Sequence, residues 1–309
     1  MNFVVENAGN TCYIDSLLMA LFFEESIIER LLTTDVRSDQ NAGTAMYLQE
    51  YIKLNFIDNI RAGLSVTADV MSMLRELLIE NGWKKDLIDE HIEQQDVNEF
   101  FTFLIDVLNG PLMEIQRSTI TEVEVEADNT DDVGPIEKIP FIPLSIPETN
   151  TESSLHIKDL LKTWMFENYS NVKRIINGRE KTITALNSYH VVNIPYMVAL
   201  GINRFKNDGI KDKTHIEIQR NILLHNNNNT TPLNNHSWTF HSVVCHKGSS
   251  LKQGHYYALL CKKIDKNNYK YYKFDDLATP SLEEVSMSDP DITSQLKTDC
   301  VFIIYKYTI

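Results

Sequence analysis

A polar loop running straight into an apolar helix constrains this chain more than any other stretch. Residues 7–16 read NAGNTCYIDS, and Ile14, Leu17, Leu18, Leu21 and Phe22 recur at i, i+3, i+4 and i+7. That spacing predicts an amphipathic helix with Cys12 in its first turn. A thiol there faces the positive end of the helix dipole, which favours thiolate, the nucleophilic form. The alternative is a small buried hydrophobe, the common fate of a free cysteine, and this segment alone leaves both readings open.

A second region adds what such a thiol would need. WTFHSVVCHKG (238–248), GHYYALL (254–260) and YYKFDD (271–276) read as strands, with the Gly/Ser/Lys stretch between the first two as a mobile loop. Residues 262–268, rich in Lys, Asp and Asn, suit a hairpin turn that sets His255 beside Asp275. An imidazole can take the thiol proton, and a carboxylate fixes its tautomer and orientation. Asp276 is expected on the opposite side of the extended strand from Asp275.

These segments resemble the ubiquitin-specific protease family of cysteine deubiquitinases. Residues 9–19, GNTCYIDSLLM, are similar to the family's Cys box G-x-T-C-Y-x-N-S-x-L-Q, and GHYYAL at 254–259 to its His box G-H-Y-x-A-Y. QQDVNEF at 94–100 resembles Q-Q-D-A-x-E-F, Asn203-Arg204-Phe205 the L-K-R-F strand, and CVFIIYK at 300–306 the closing strand. The landmarks keep the family's order from Asn7 to Lys306.

The resemblance implies an α+β, papain-like cysteine protease fold with thumb, palm and fingers. One catalytic domain over 1–309 is expected: a helical thumb to about 110, reduced fingers and part of the palm over 111–200, and a strand-rich palm over 201–309. The implied reaction is thiol-dependent hydrolysis of the isopeptide bond after ubiquitin's C-terminal glycine. Cys12 is the nucleophile, His255 the base and then acid, and Asp275 the orienting acid, with Asp276 as second candidate. Asn7 matches the family's oxyanion asparagine, with Asn10 as the local rival. Asp96 and Glu99 match acids that contact the arginines of the ubiquitin tail. From the residues alone, they could equally complement the dipole of a helix over 94 to about 109, closed by Gly110. Tyr256 and Phe205 are expected to narrow the channel, or else to pack in the core.

Two departures stand out. Asp15 and Met19 replace the usual asparagine and glutamine of the Cys box, and an anion at Asp15 would raise the Cys12 pKa. The four cysteines, at 12, 245, 261 and 300, form no C-x-x-C pair, so the fingers are expected to be short and metal-free. His241, Cys245 and His246 would not all share one face of a strand, so no metal and no cofactor are expected. Residues 121–126 (TEVEVE) read as an edge strand, 128–135 as an acidic turn, 153–166 as a helix, and 225–236 as an Asn-rich flexible loop.

With 43 acidic and 29 basic residues the formal charge is −14. That argues against nucleic acid or an anionic membrane as partner and suits a basic one. Ubiquitin or ubiquitinated proteins are the expected partners, and the protein is expected to be a monomer. Glu24 and Glu25 follow the apolar run at once and no basic residues precede it, unlike a secretory signal. An intracellular setting is expected, cytoplasmic or nuclear, or in a host cell were the source viral. Competing readings are a catalytically weak ubiquitin-binding module, a hydrolase for another ubiquitin-like modifier, and a Cys-His-Asp enzyme such as an acyltransferase.

Overall fold

The apolar run behind Cys12 forms α1 (Cys12–Phe22), and in the computed structural model every residue of it is buried. The structure describes residues 2–84, 87–88, 91–92, 95–121, 132–147, 154–176, 178–206, 208–224, 236–250, 253–265 and 268–308. An amphipathic helix would leave one face in water, whereas α1 is central and carries Asp15 and Ser16 into the interior. Its last carbonyls are met by the sheet: Ser242 Oγ donates to Ala20 O at 2.6 Å, and His241 Nε2 lies 3.2 Å from Leu21 O.

Around α1 lie a 3-10 turn at Ile27–Leu32 and α2 (Ala42–Tyr51), which continues through a π-helical stretch, Ile52–Ile57, into α3 (Asp58–Arg61). α4 (Ala68–Glu80) and α5 (Val97–Val107) complete the group. Asp96 is the N-cap of α5 rather than a residue within it, so the helix starts later than the spacing suggested. At its other end Asn109 takes the left-handed position (φ 49°), and Gly110 N donates back to Ile105 O at 2.8 Å. Gly110 is also closely packed: a Cβ there would lie 2.7 Å from Ile105 Cδ1 and 2.8 Å from Leu31 Cδ2, side-chain ends that would have to shift.

After the short ladder of β1 (Leu87–Ile88) and β2 (His91–Ile92) come β3 (Met113–Thr121), β4 (Asp132–Ile139), β5 (Ile142–Ser145) and β6 (Ser154–His156). α6 (Ile157–Phe166), β7 (Asn168–Ile176), β8 (Arg179–Val191), β9 (Met197–Asn203), β10 (His215–Glu217) and β11 (Asn221–Leu223) follow. The chain closes with β12 (Ser237–Ser250), β13 (Gln253–Lys263), β14 (Tyr269–Phe274), β15 (Leu282–Val285), α7 (Pro290–Asp299) and β16 (Cys300–Tyr307).

β4-β3-β8-β7 form a separate sheet, while the main sheet runs β15-β14-β13-β12-β16-β9-β5 with β11 beside β12. One core lies between the helices and one face of the main sheet, and a second lies on its other face with α6. Among the described residues no helix is long and apolar enough to cross a membrane.

Several expectations change. Asp132 to Pro135 belong to edge strand β4, where a proline costs no ladder bond, rather than to an acidic turn. Residues 122–131 and 225–235 lie outside the described residues. The helix expected from 153 begins at Ile157, because Ser154–His156 pairs in parallel with β10. The Gly/Ser/Lys segment is not a loop through 250: β12 continues to Ser250, with Lys247 opposite His255 and a register shift before Ser250 pairs Gln253.

Candidate active site

The loop before α1 is shaped by two left-handed residues, Gly9 (φ 83°) and Asn10 (φ 51°), and held by Arg75 Nη1 donating to Gly9 O at 2.9 Å. Thr11 Oγ1 accepts from Ala8 N at 3.2 Å, and Cys12 opens the helix. The thiol hydrogen-bonds with the Tyr256 backbone of β13, next in sequence to His255. Cys12 is 3% exposed. Burial, and then the charges of Asp276 and Asp15, outweigh the backbone hydrogen bonds and push its pKa up to about 12. The resting group is therefore a thiol. Of the influences on the thiol, desolvation, which penalises the anion, is the largest.

The β13–β14 hairpin pairs Ala258 with Phe274 and brings His255 to the residues just past β14. His255 Nε2 lies 2.8 Å from Asp275 Oδ1 and 3.5 Å from Asp276 Oδ1. A carboxylate only accepts, so Nε2 carries the proton and Nδ1 keeps the lone pair able to take a thiol proton. Burial, the largest influence on Asp275, raises its pKa, yet the hydrogen bond and charge of His255 leave it below the ordinary carboxylate value. Asp276 does not point away as strand alternation suggested. β14 ends at Phe274, and Asp275 begins a turn in which Ala278 N donates to Asp275 O at 3.0 Å, so the alternation no longer applies.

Asp276 is in turn held by Asn7, whose Nδ2 donates to its Oδ2 at 2.6 Å, while Asn7 Oδ1 accepts from Gly9 N at 2.7 Å. Asp15 completes the group. It is fully buried, and burial, then the charge of Asp276 and a hydrogen bond with it, raise its pKa well above the usual range. His255, Asp275 and Asp276 are the grouping of metal-ligating types found among the described residues. They are the same atoms that these hydrogen bonds join. His241, Cys245 and His246 do not assemble: Cys245 packs in the second core, His241 meets Leu21 and Glu24, and His246 lies against Phe205 and Tyr256.

A sequence profile of the ubiquitin carboxyl-terminal hydrolase family matches residues 4–296. The chain belongs to the ubiquitin carboxyl-terminal hydrolase family. Ubiquitin carboxyl-terminal hydrolase 15 of Schizosaccharomyces pombe is 25% identical over 301 residues, covering 88% of this chain. The chain spans only 24% of that relative's length. Among solved structures, the SAGA DUB module of Ubp8, Sgf11, Sus1 and Sgf73 bound to monoubiquitin contains a chain matched with TM-score 0.69 and 14% identity, over all of this chain and 69% of that one. The same kind of module bound to ubiquitin aldehyde matches with TM-score 0.67, also at 14% identity. The fold is the α+β, papain-like one expected of this family.

In this family member the outlying candidate residues are placed differently from one another. Asp96 Oδ1 accepts from Asn98 N at 2.7 Å, Glu99 N at 3.2 Å and Asn98 Nδ2 at 2.9 Å, so it caps α5. Glu99 is exposed and pairs with Lys84. Tyr256 is 1% exposed and its phenol lies by Asp96 and the Val97 backbone. It packs in the interior, as the second of its two sequence readings has it. Phe205 is half-buried and meets the ring of His246 edge-on at 5.4 Å. It is positioned by Arg204, a fully buried guanidinium donating to the carbonyls of Cys300 (2.6 Å), Thr214 (2.8 Å) and Lys297 (2.6 Å).

His246 was not singled out for this site. It is fully buried between Phe205 and Tyr256, and burial followed by the charge of Lys211 lowers its pKa to about 4, so it is neutral. Gly254 packs on its ring, where a Cβ would lie 2.3 Å from Cε1. The signal available in sequence is the glycine before His255, since close approach of a neighbouring group is one reason for a glycine in a strand.

Proposed function

We propose that this protein is a cysteine deubiquitinase hydrolysing the isopeptide bond after ubiquitin's C-terminal glycine. The observation that carries this is the His255–Asp275 pair set beside the Tyr256 backbone that holds the Cys12 thiol, in a chain of this family. Because Cys12 rests as a thiol, His255 Nδ1 takes its proton as the sulfur attacks the glycine carbonyl. Asp275 holds the imidazole tautomer and stabilises the imidazolium. The Cys12 backbone N–H and an Asn7 Nδ2 hydrogen stabilise the tetrahedral oxyanion. Nδ2 has two hydrogens, so one can serve Asp276 and the other the oxyanion. His255 then protonates the leaving lysine amine, and water, with His255 again as base, cleaves the thioester.

Asp96 and Glu99 at the start of α5 suit the arginines of the ubiquitin tail, and Asp96 keeps its second oxygen for a cation since its described hydrogen bonds fall on Oδ1. Phe205 narrows the approach to the glycines. The chain acts as one catalytic domain with helical thumb, reduced fingers and palm. Its four cysteines are buried and outside any disulfide, which suits a reducing intracellular compartment. The test is a ubiquitin-propargylamide probe: wild type is labelled and Cys12→Ala is not. No labelling of wild type, or equal labelling of both, removes the reading.

A further inference from the structure

Asp15 and Asp276 meet inside the site. Asp15 Oδ2 accepts from Thr11 Oγ1 at 3.2 Å, and Asp276 Oδ2 from Asn7 Nδ2 at 2.6 Å. The other oxygen of each, Oδ1, is buried and accepts no hydrogen bond from the described residues, the nearest donor to Asp276 Oδ1 being His255 Nε2 at 3.5 Å. The two side chains are within hydrogen-bonding reach of each other. One proton shared between two buried acceptors in contact satisfies both.

We propose that Asp15 is a positioning residue, a neutral carboxylic acid that donates from Oδ1 to Asp276 Oδ1 and thereby holds the acid that carries Asn7 and flanks His255. Loss of that proton as pH rises sets two anions side by side, displaces Asp276 and Asn7, and lowers turnover. The proton is placed on Asp15 because Asp276 already accepts a short hydrogen bond from Asn7 Nδ2 at 2.6 Å and lies 3.5 Å from His255 Nε2. Asp15 has the longer bond from Thr11 and one from its own backbone N–H, it is fully buried, and its raised pKa agrees.

The titratable groups facing Asp15 are Cys12 on its own helix, Asp276 after β14 and, beyond Asp276, Asp275 and His255 of the hairpin. Among the described residues no lysine or arginine forms an ion pair with Asp15 or Asp276. The family's Cys box has an asparagine at this position, and a protonated carboxyl keeps a donor where that amide stands.

This inference rests on the deubiquitinase reading for its effect on turnover, but not for the proton itself. Carboxyl carbon-13 NMR of aspartate-labelled protein, with Asp15→Asn to assign the signal, is expected to show Asp15 protonated at neutral pH. An Asp15 signal that titrates in the ordinary carboxylate range overturns the proposal. In the kcat/KM pH profile on a fluorogenic ubiquitin amide, Asp15→Asn keeps a donor but cannot ionise. Its alkaline limb is expected to move up by roughly one pH unit or more. Asp15→Leu, with no donor, is expected roughly tenfold or more below Asp15→Asn at neutral pH. An unmoved alkaline limb, or equal activity of the two variants, overturns the positioning role. Absence of wild-type turnover would instead count against the deubiquitinase reading, and the NMR result still decides the proton.

Discussion

Asn7 Nδ2 donates to Asp276 Oδ2 at 2.6 Å, across 269 residues of chain. The bond ties the candidate oxyanion donor, in the loop ahead of α1, to the acid that follows the candidate orienting residue Asp275. Loop and hairpin therefore set each other's geometry. A change at Asp276 is felt at Asn7 without touching substrate.

The two adjacent acids are predicted to differ in kind. Asp275→Asn removes the partner of His255 Nε2 at 2.8 Å and leaves the imidazole free to take the wrong tautomer. Its kcat is expected to fall by about 10²–10⁴ with little change in KM. Asp276→Asn keeps Asp275 and His255, so steady-state kinetics on a ubiquitin amide should show a smaller loss. Equal losses would mean that the carboxylates act as one unit.

Cys12 is expected to alkylate slowly in the free enzyme. With its pKa pushed up to about 12, the thiolate fraction at neutral pH is small and grows with every step of alkaline pH. The rate of iodoacetamide labelling at Cys12 should climb without a plateau through pH 9. Because the charge of Asp276 contributes to the shift, Asp276→Asn should label faster than wild type at the same pH. A plateau near neutrality would show a preformed thiolate.

Glu24 fastens the end of α1 to the sheet. Its Oε1 accepts from Lys263 N at 2.8 Å, and its Oε2 pairs with Lys306 and lies 3.3 Å from His241 Nδ1. Burial alone would raise its pKa, but these hydrogen bonds hold it at about 2. A depressed carboxyl contributes stability that is present above its unfolded value of 4.5 and lost as pH falls through about 2. Glu24→Gln is expected to cost on the order of 3 kcal/mol at pH 7 in urea unfolding, with the difference closing by about pH 2.

Asp96 has a structural duty and a proposed binding one, and two substitutions separate them. Asp96→Asn keeps an N-cap acceptor and removes the charge, so thermal stability should hold while KM for ubiquitin substrates rises. Asp96→Ala loses both and should also destabilise by about 1 kcal/mol. If Asp96→Asn leaves KM unchanged, the residue is a helix cap alone.

Much of the frame was legible in the sequence. The 3.6-residue period at Ile14–Phe22 and Val97–Leu108 marked α1 and α5, and the polar residues after Lys263 marked the turn that sets His255 beside Asp275. Both signals are local, carried by residues a turn or a hairpin apart. Protonation and burial were not legible, because they depend on elements distant in the chain. Periodicity says which side chains share a face, not that helices and sheet cover every face of α1 and desolvate Asp15 and Cys12 together. Likewise Asp276 turned inward because the ladder stops at Phe274, and Tyr256 and His246 became interior rings because α5 and Phe205 close over them. The residue types and their order came from the sequence. Which of them are charged, and which face the Cys12 thiol, came from tertiary packing, since desolvation and mutual repulsion arise only once the segments meet.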